Sequence, residues 1–126
     1  MLRCAALTLS LAFVTGTVLA QVPRLFPSTA LRGELSVVQP PDVLLNGRPA
    51  RLSPGARIHN EENRFDVTGK LAGRKMTVHY TTAGGGQLLD VWILTASERA
   101  RRPWPTSESE ARTWQFDPVA QVWSRP

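Results

Sequence analysis

The sequence predicts an all-β fold: a small, partly open barrel of five or six strands, with a C-terminal extension of short helices and a hairpin. Three observations carry this. From Leu31 onward, apolar and polar side chains alternate in short runs separated by Gly, Pro and Asn, the pattern of half-buried strands joined by turns. Asn46-Gly47 lies between two such runs, and a type I′ hairpin loop needs φ > 0 at both central positions, which Asn and Gly tolerate best. Gly84-Gly85-Gly86 separates two further apolar runs, 76–80 and 89–93, which read as the arms of a second hairpin.

The first 20 residues read differently. Met1-Leu2-Arg3 is a short basic start, Cys4 to Val14 is largely apolar, and Val18-Leu19-Ala20 offers compact residues for cleavage. That is the layout of a secretory signal peptide cut after Ala20, too short and too rich in Thr and Ser for a membrane span. The expected address is periplasmic or secreted, with no transmembrane segment in the mature chain. Cleavage leaves 106 of the 126 residues, room for one domain with a core and hardly two. It also removes Arg3 and Cys4, so the formal charge falls from +5 to +4 and no cysteine remains. A disulfide framework and thiolate chemistry are thereby excluded, and the mild basicity names no partner.

Residues 21–30 hold Pro23 and Pro27 without periodicity and are expected as a flexible lead-in to a barrel domain over 31–95. Leu31, Gly33, Leu35 and Val37 alternate with Arg32, Glu34 and Ser36, and Pro40-Pro41 ends that strand. Centring the next hairpin on Asn46-Gly47 sets Leu45 against Arg48, Val43 against Ala50 and Asp42 against Arg51. Pro49 lacks an amide donor, so its strand is expected at a local edge. Ser53-Pro54-Gly55 reads as a turn, Ala56 to Ile58 as a brief strand, and 59–63 as a polar loop before Phe65 and Val67. Gly69 and Gly73 permit a sharp bend. With 83–86 as loop, the second hairpin pairs Tyr80 with Leu89, Val78 with Val91 and Met76 with Ile93, an apolar inner face. Its outer face then pairs His79 with Asp90 and Thr77 with Trp92.

Residues 96–126 form a Trp-rich extension expected to pack on the barrel. Ser97 to Arg102 suits one or two helical turns with cations at the C-terminal end, stopped by Pro103. Ser107-Glu108-Ser109-Glu110 fits a capping box opening a second short helix. Asp117-Pro118 suits a type I turn, which sets Phe116 against Gln121 and Trp114 against Trp123.

No reaction is legible. His79 opposite Asp90 has the composition of a general base with its orienting carboxylate, but no nucleophile motif accompanies it, and the pair reads as a cross-strand ion pair on the solvated face. His59, Glu61 and Glu62 share a polar loop, yet lack zinc-ligand or EF-hand spacing. No catalytic residue, metal ligand or cofactor is therefore assigned. The binding residues assigned are Trp104, Trp114 and Trp123, whose rings suit sugar faces or a protein partner, with the basic Arg99, Arg101 and Arg102. The plainer reading of Trp114 and Trp123 is that they cover one end of the barrel. Lys70, Arg74 and Lys75 form a second basic cluster.

Leu31-Arg32-Gly33-Glu34 opening a strand, Leu45-Asn46-Gly47 in a hairpin, Leu71-Ala72-Gly73 leading into Met76-Thr77-Val78, and the closing Asp90-Val91-Trp92-Ile93-Leu94 together give an outline. It resembles the small OB-like β-barrel domains of unknown function found in exported bacterial proteins. The resemblance covers about half the chain and implies a fold, with no reaction and no functional residues. The expected function is non-enzymatic binding to an envelope protein or a glycan. Two alternatives stand beside it: a small hydrolase or metal-dependent enzyme using His79 and Asp90, or His59 with Glu61 and Glu62; and a polyanion-binding barrel. Export removes nucleic acid from the expected partners.

Overall fold

The computed structural model describes residues 23–126, together with Ala12 and Gly16. Apart from those two positions, the expected signal peptide lies outside the described residues. The strands are β1 (Leu31–Gln39), β2 (Asp42–Leu45), β3 (Arg48–His59), β4 (Phe65–Asp66), β5 (Lys75–Thr82) and β6 (Leu88–Ile93). Two short helices, α1 (Ala96–Arg99) and α2 (Glu108–Thr113), precede the hairpin β7 (Gln115–Asp117) and β8 (Val122–Ser124).

β1 pairs with β2 and β5, β5 with β6, β6 with β3, and β3 with β2. The sheet thus closes as an irregular ring, with β4 added beyond β3. Only β3 and β6 run parallel within it. The expected OB-like, all-β architecture is the one observed. Inside the ring pack Leu35, Val37, Val43, Leu52, Ile58, Val78, Leu88 and Val91, with Leu71 on a single 3-10 turn. Gly33 is required by the narrow section: a Cβ there would meet Leu45 and Tyr80 side chains at 3.0 Å.

The β2–β3 register is the expected one, Asp42 opposite Arg51, Val43 opposite Ala50 and Leu45 opposite Arg48. Asn46 and Gly47 take φ of 53° and 77°, and the Asn46 Oδ1 accepts the Glu34 amide at 2.9 Å. Three expectations about turns and registers are corrected. Ser53-Pro54-Gly55 is no turn, because β3 runs through it. The β3–β6 register breaks between Leu52 and Arg57, so Pro54 falls where no amide donor is needed on that side.

The β5–β6 hairpin is displaced by two residues, with Tyr80 opposite Val91, Val78 opposite Ile93 and His79 opposite Trp92. A bulge between Tyr80 and Thr82 and a wider loop, closed by Ala83 N donating to Gln87 O at 2.7 Å, take up the difference. A slip of two keeps each side chain on its face, so the apolar inner face survives. The β7–β8 hairpin is displaced by the same amount, with Phe116 opposite Trp123. There Asp117 Oδ1 accepts the amides of Val119 and Ala120 at 3.0 and 3.1 Å, and Gln121 adopts a φ of 56°.

A second core lies outside the ring. Phe26, Ala30, Leu94, Trp104 and Trp123 bury one another there. Residues 23–30, expected as a flexible lead-in, are pinned into it: Trp104 Nε1 donates to Ala30 O at 2.9 Å, and the Gln121 amide exchanges hydrogen bonds with the Phe26 backbone.

Candidate functional site

The registers place five residues in one transverse row on the outer surface of the sheet. Arg32 on β1 lies opposite His79 on β5, His79 opposite Trp92 on β6, Trp92 opposite His59 on β3, and His59 opposite Phe65 on β4. Neighbouring strands are less than 5 Å apart; Arg32 bonds to His79, Trp92 stacks on His59 and His59 meets Phe65, while Phe26 packs edge-on against both His79 and Trp92. One end of the row is covered and the other is open.

At the covered end His79 is 1 % exposed. Its ring stacks on Trp104, with centroids 4.1 Å apart, and meets Phe26 edge-on at 4.5 Å. Arg32 Nε donates to His79 Nε2 at 3.2 Å. Guanidinium can only donate, so Nε2 is the acceptor and the imidazole proton sits on Nδ1, which has no hydrogen-bond partner. Burial, reinforced by Arg32, Arg24 and Arg101, pushes the His79 pKa from 6.5 down to about 2. The ring is therefore neutral, and its lone pair is engaged by Arg32. This corrects the solvated-face assignment. His79 does not pair with Asp90, because the two-residue slip puts Trp92 opposite it, and the extension covers it. Asp90 instead accepts from Arg57 at 3.0 Å and lies 3.5 Å from His59 Nε2.

Arg32 also caps α1. Its guanidinium donates to the carbonyls of Glu98 at 2.9 Å, Arg99 at 3.2 Å and Arg101 at 2.9 Å, where the helix leaves acceptors free. Burial and the nearby Arg102 charge, partly offset by Glu98, pull the Arg32 pKa down to about 10. The start of α1 is fixed by a capping box not foreseen from the sequence: Thr95 Oγ1 accepts the Glu98 amide, and Glu98 returns a carboxylate oxygen to the Thr95 amide at 2.9 Å.

At the open end, the His59 ring stacks on Trp92, with centroids 5.1 Å apart, and meets Phe65 at 5.0 Å. The loop 60–64 rises beside them. Asn60 organises it, its Oδ1 accepting the amides of Glu62 at 3.1 Å and Arg64 at 2.8 Å. Glu61 and Glu62 therefore face solvent. The opposite wall is Leu25 with α1 and Arg101, and the cleft between encloses about 830 Å³.

Arg24 bolts the walls together. It donates to Asn60 O at 2.7 Å, Ile93 O at 2.8 Å and Glu98 Oε2 at 2.9 Å, and pairs with the second carboxylate oxygen as well. Burial works to raise the Glu98 pKa, but hydrogen bonds from Arg24 and Thr95 outweigh it and hold the carboxyl below its usual value.

The other assigned residues disperse. Trp104 and Trp123 are 5 % and 3 % exposed; they close the second core, and their faces are not free. Trp114 is half-buried beneath the Arg125 guanidinium, 5.1 Å from its ring. Arg99 donates to Leu94 O at 2.7 Å, Arg101 lines the large cleft, and Arg102 lies in a smaller one with Trp114. Among the described residues no group of three His, Cys, Asp or Glu is placed to hold a metal, so His59, Glu61 and Glu62 do not converge. Also among the described residues, no helix is long and apolar enough to cross a membrane. Sequence reading missed Arg24, Arg32 and the Trp92–His59–Phe65 row. The alternation around His59 and Phe65 was visible, but the parallel β3–β6 pairing that aligns them was not.

No protein-family model, curated protein or solved structure matches the chain.

Proposed function

We propose that this is an exported, non-catalytic binding module whose open cleft takes a segment of an envelope protein. The observation that carries the reading is Phe65: it is 68 % exposed although it ends an aromatic row on a walled cleft. Leu25, also on the cleft, and the nearby Val67 are 72 % and 71 % exposed. Bulky apolar groups left in water beside a polar rim are characteristic of interaction sites. The aliphatic members favour a polypeptide over a sugar. Beyond the buried Arg24–Glu98 pair, the charges lining the cleft are the exposed Glu61 and Glu62 and the half-buried Arg101, so the matching ligand is an apolar anchor residue next to Lys or Arg.

Export rests on the basic start, the apolar run and the Val18-Leu19-Ala20 cleavage site; a mature chain starting at Gln21 in the periplasmic fraction is expected on N-terminal sequencing. The binding reading is tested by placing a photo-crosslinking phenylalanine analogue at position 65 or at 119 in living cells. Val119 is 88 % exposed and lies on the β7–β8 turn. One envelope protein captured from position 65 and not from 119, and bound at least tenfold more weakly by F65A, is the expected result. Capture of the same products from both positions, or of none, overturns it.

A further inference from the structure

We infer that the smaller cleft on the extension is a separate site for a phosphorylated saccharide, with Arg102 and Arg125 as the phosphate donors. Arg32, Arg102 and Arg125 all line this cleft of about 530 Å³, against a single carboxylate, Glu110. Glu110 has its own partners: its Oε1 accepts the hydroxyls of Thr106 at 2.9 Å and Ser107 at 3.3 Å. Among the described residues, neither Arg102 nor Arg125 forms an ion pair with a carboxylate. Both are exposed, so their guanidinium forks are available to a ligand.

The three cations have different parts. Arg32 is consumed by backbone carbonyls and His79, and contributes a fixed positive charge at the base. Arg125 is held over the Trp114 ring, which orients its fork at little further entropic cost. Arg102 follows the end of α1 and sits close enough to Arg32 to depress its pKa, so bringing an anion there relieves like-charge repulsion.

The chemistry of the ligand follows from charge and size. Three guanidinium groups against one carboxylate leave a surplus of two, which matches a phosphate monoester, with its charge of about −1.5 to −2, better than a lone carboxylate. Paired forks suit phosphate oxygens. The remaining volume, lined by Pro103 and Trp114, takes a ring, and the Thr106 oxygen, whose own proton goes to Glu110, can accept from a polyol hydroxyl.

Titration calorimetry on the mature protein with glucose 6-phosphate, glucose, glucuronate and inorganic phosphate tests this. Glucose 6-phosphate is expected to bind at least tenfold more tightly than each of the others, and to weaken as NaCl is raised. The R102A/R125A double variant is expected to lose tenfold or more in affinity with an unchanged melting temperature, whereas F65A binds the sugar phosphate normally. Equal affinity for glucose or inorganic phosphate, or an unaltered double variant, overturns the site. Neither outcome touches the polypeptide cleft, which responds to F65A instead.

Discussion

Arg32 and His79 at one end of the outer row, and His59 and Phe65 at the other, occupy equivalent outward positions on neighbouring strands. The first pair is roofed by Trp104 and the carbonyl end of α1, while the second pair faces a cleft. Each end carries a histidine stacked on a tryptophan. The covered one is deprived of water and kept neutral; the open one keeps a carboxylate within reach. Outward orientation on a strand does not decide exposure. What residues 23–30 and the C-terminal extension lay over the strand does.

Removing the roof should break this contrast most strongly. W104A deletes the ring stacked on His79 and its hydrogen bond to Ala30, and an aromatic-to-alanine change in a core costs about 3–5 kcal/mol. Urea unfolding at pH 7.5 would register this as a lowered midpoint, and a shift worth under about 1 kcal/mol would count against the buried role.

R24A leaves Glu98 buried without its cation, and breaking such a pair costs about 3–5 kcal/mol. The loss should approach that of W104A and should be smaller in R24A/E98Q, which removes the stranded charge. A double variant no better than R24A would mean that the guanidinium serves chiefly Asn60 and Ile93.

Acid sharpens the same contrast. The His79 pKa is lower in the folded chain than in the unfolded one. Its contribution is intact above the unfolded value of about 6.5 and falls as pH drops toward the folded value, because only the unfolded chain takes up the proton. The slope approaches about 1.4 kcal/mol per pH unit below pH 6. The lowered Glu98 pKa acts in the same direction below its unfolded value of 4.5. H79F should flatten stability between pH 6 and 5, and W104A should do so partly by admitting water to the imidazole. A wild-type slope retained in H79F would assign the titration elsewhere.

The smallest effect belongs to the open end. F65A removes an exposed ring, so stability should change by less than about 0.5 kcal/mol, measured by the same unfolding experiment. A larger loss would make Phe65 a structural residue and weaken the binding reading.

Local chemistry determined a great deal by itself. The strand alternation, the Asn46-Gly47 turn with its β2–β3 register, the all-β class and the Ser107 N-cap were all legible, because each depends on residues near one another in sequence. Tertiary structure decided the rest. A two-residue period cannot distinguish registers that differ by two, and the glycine loop at 84–86 imposes no choice of its own, so His79 acquired Trp92 in place of Asp90. The parallel β3–β6 contact, and the reach of Arg24 across 74 residues to Glu98, have no local signature. They determine which outward side chains are sealed and which remain free to bind.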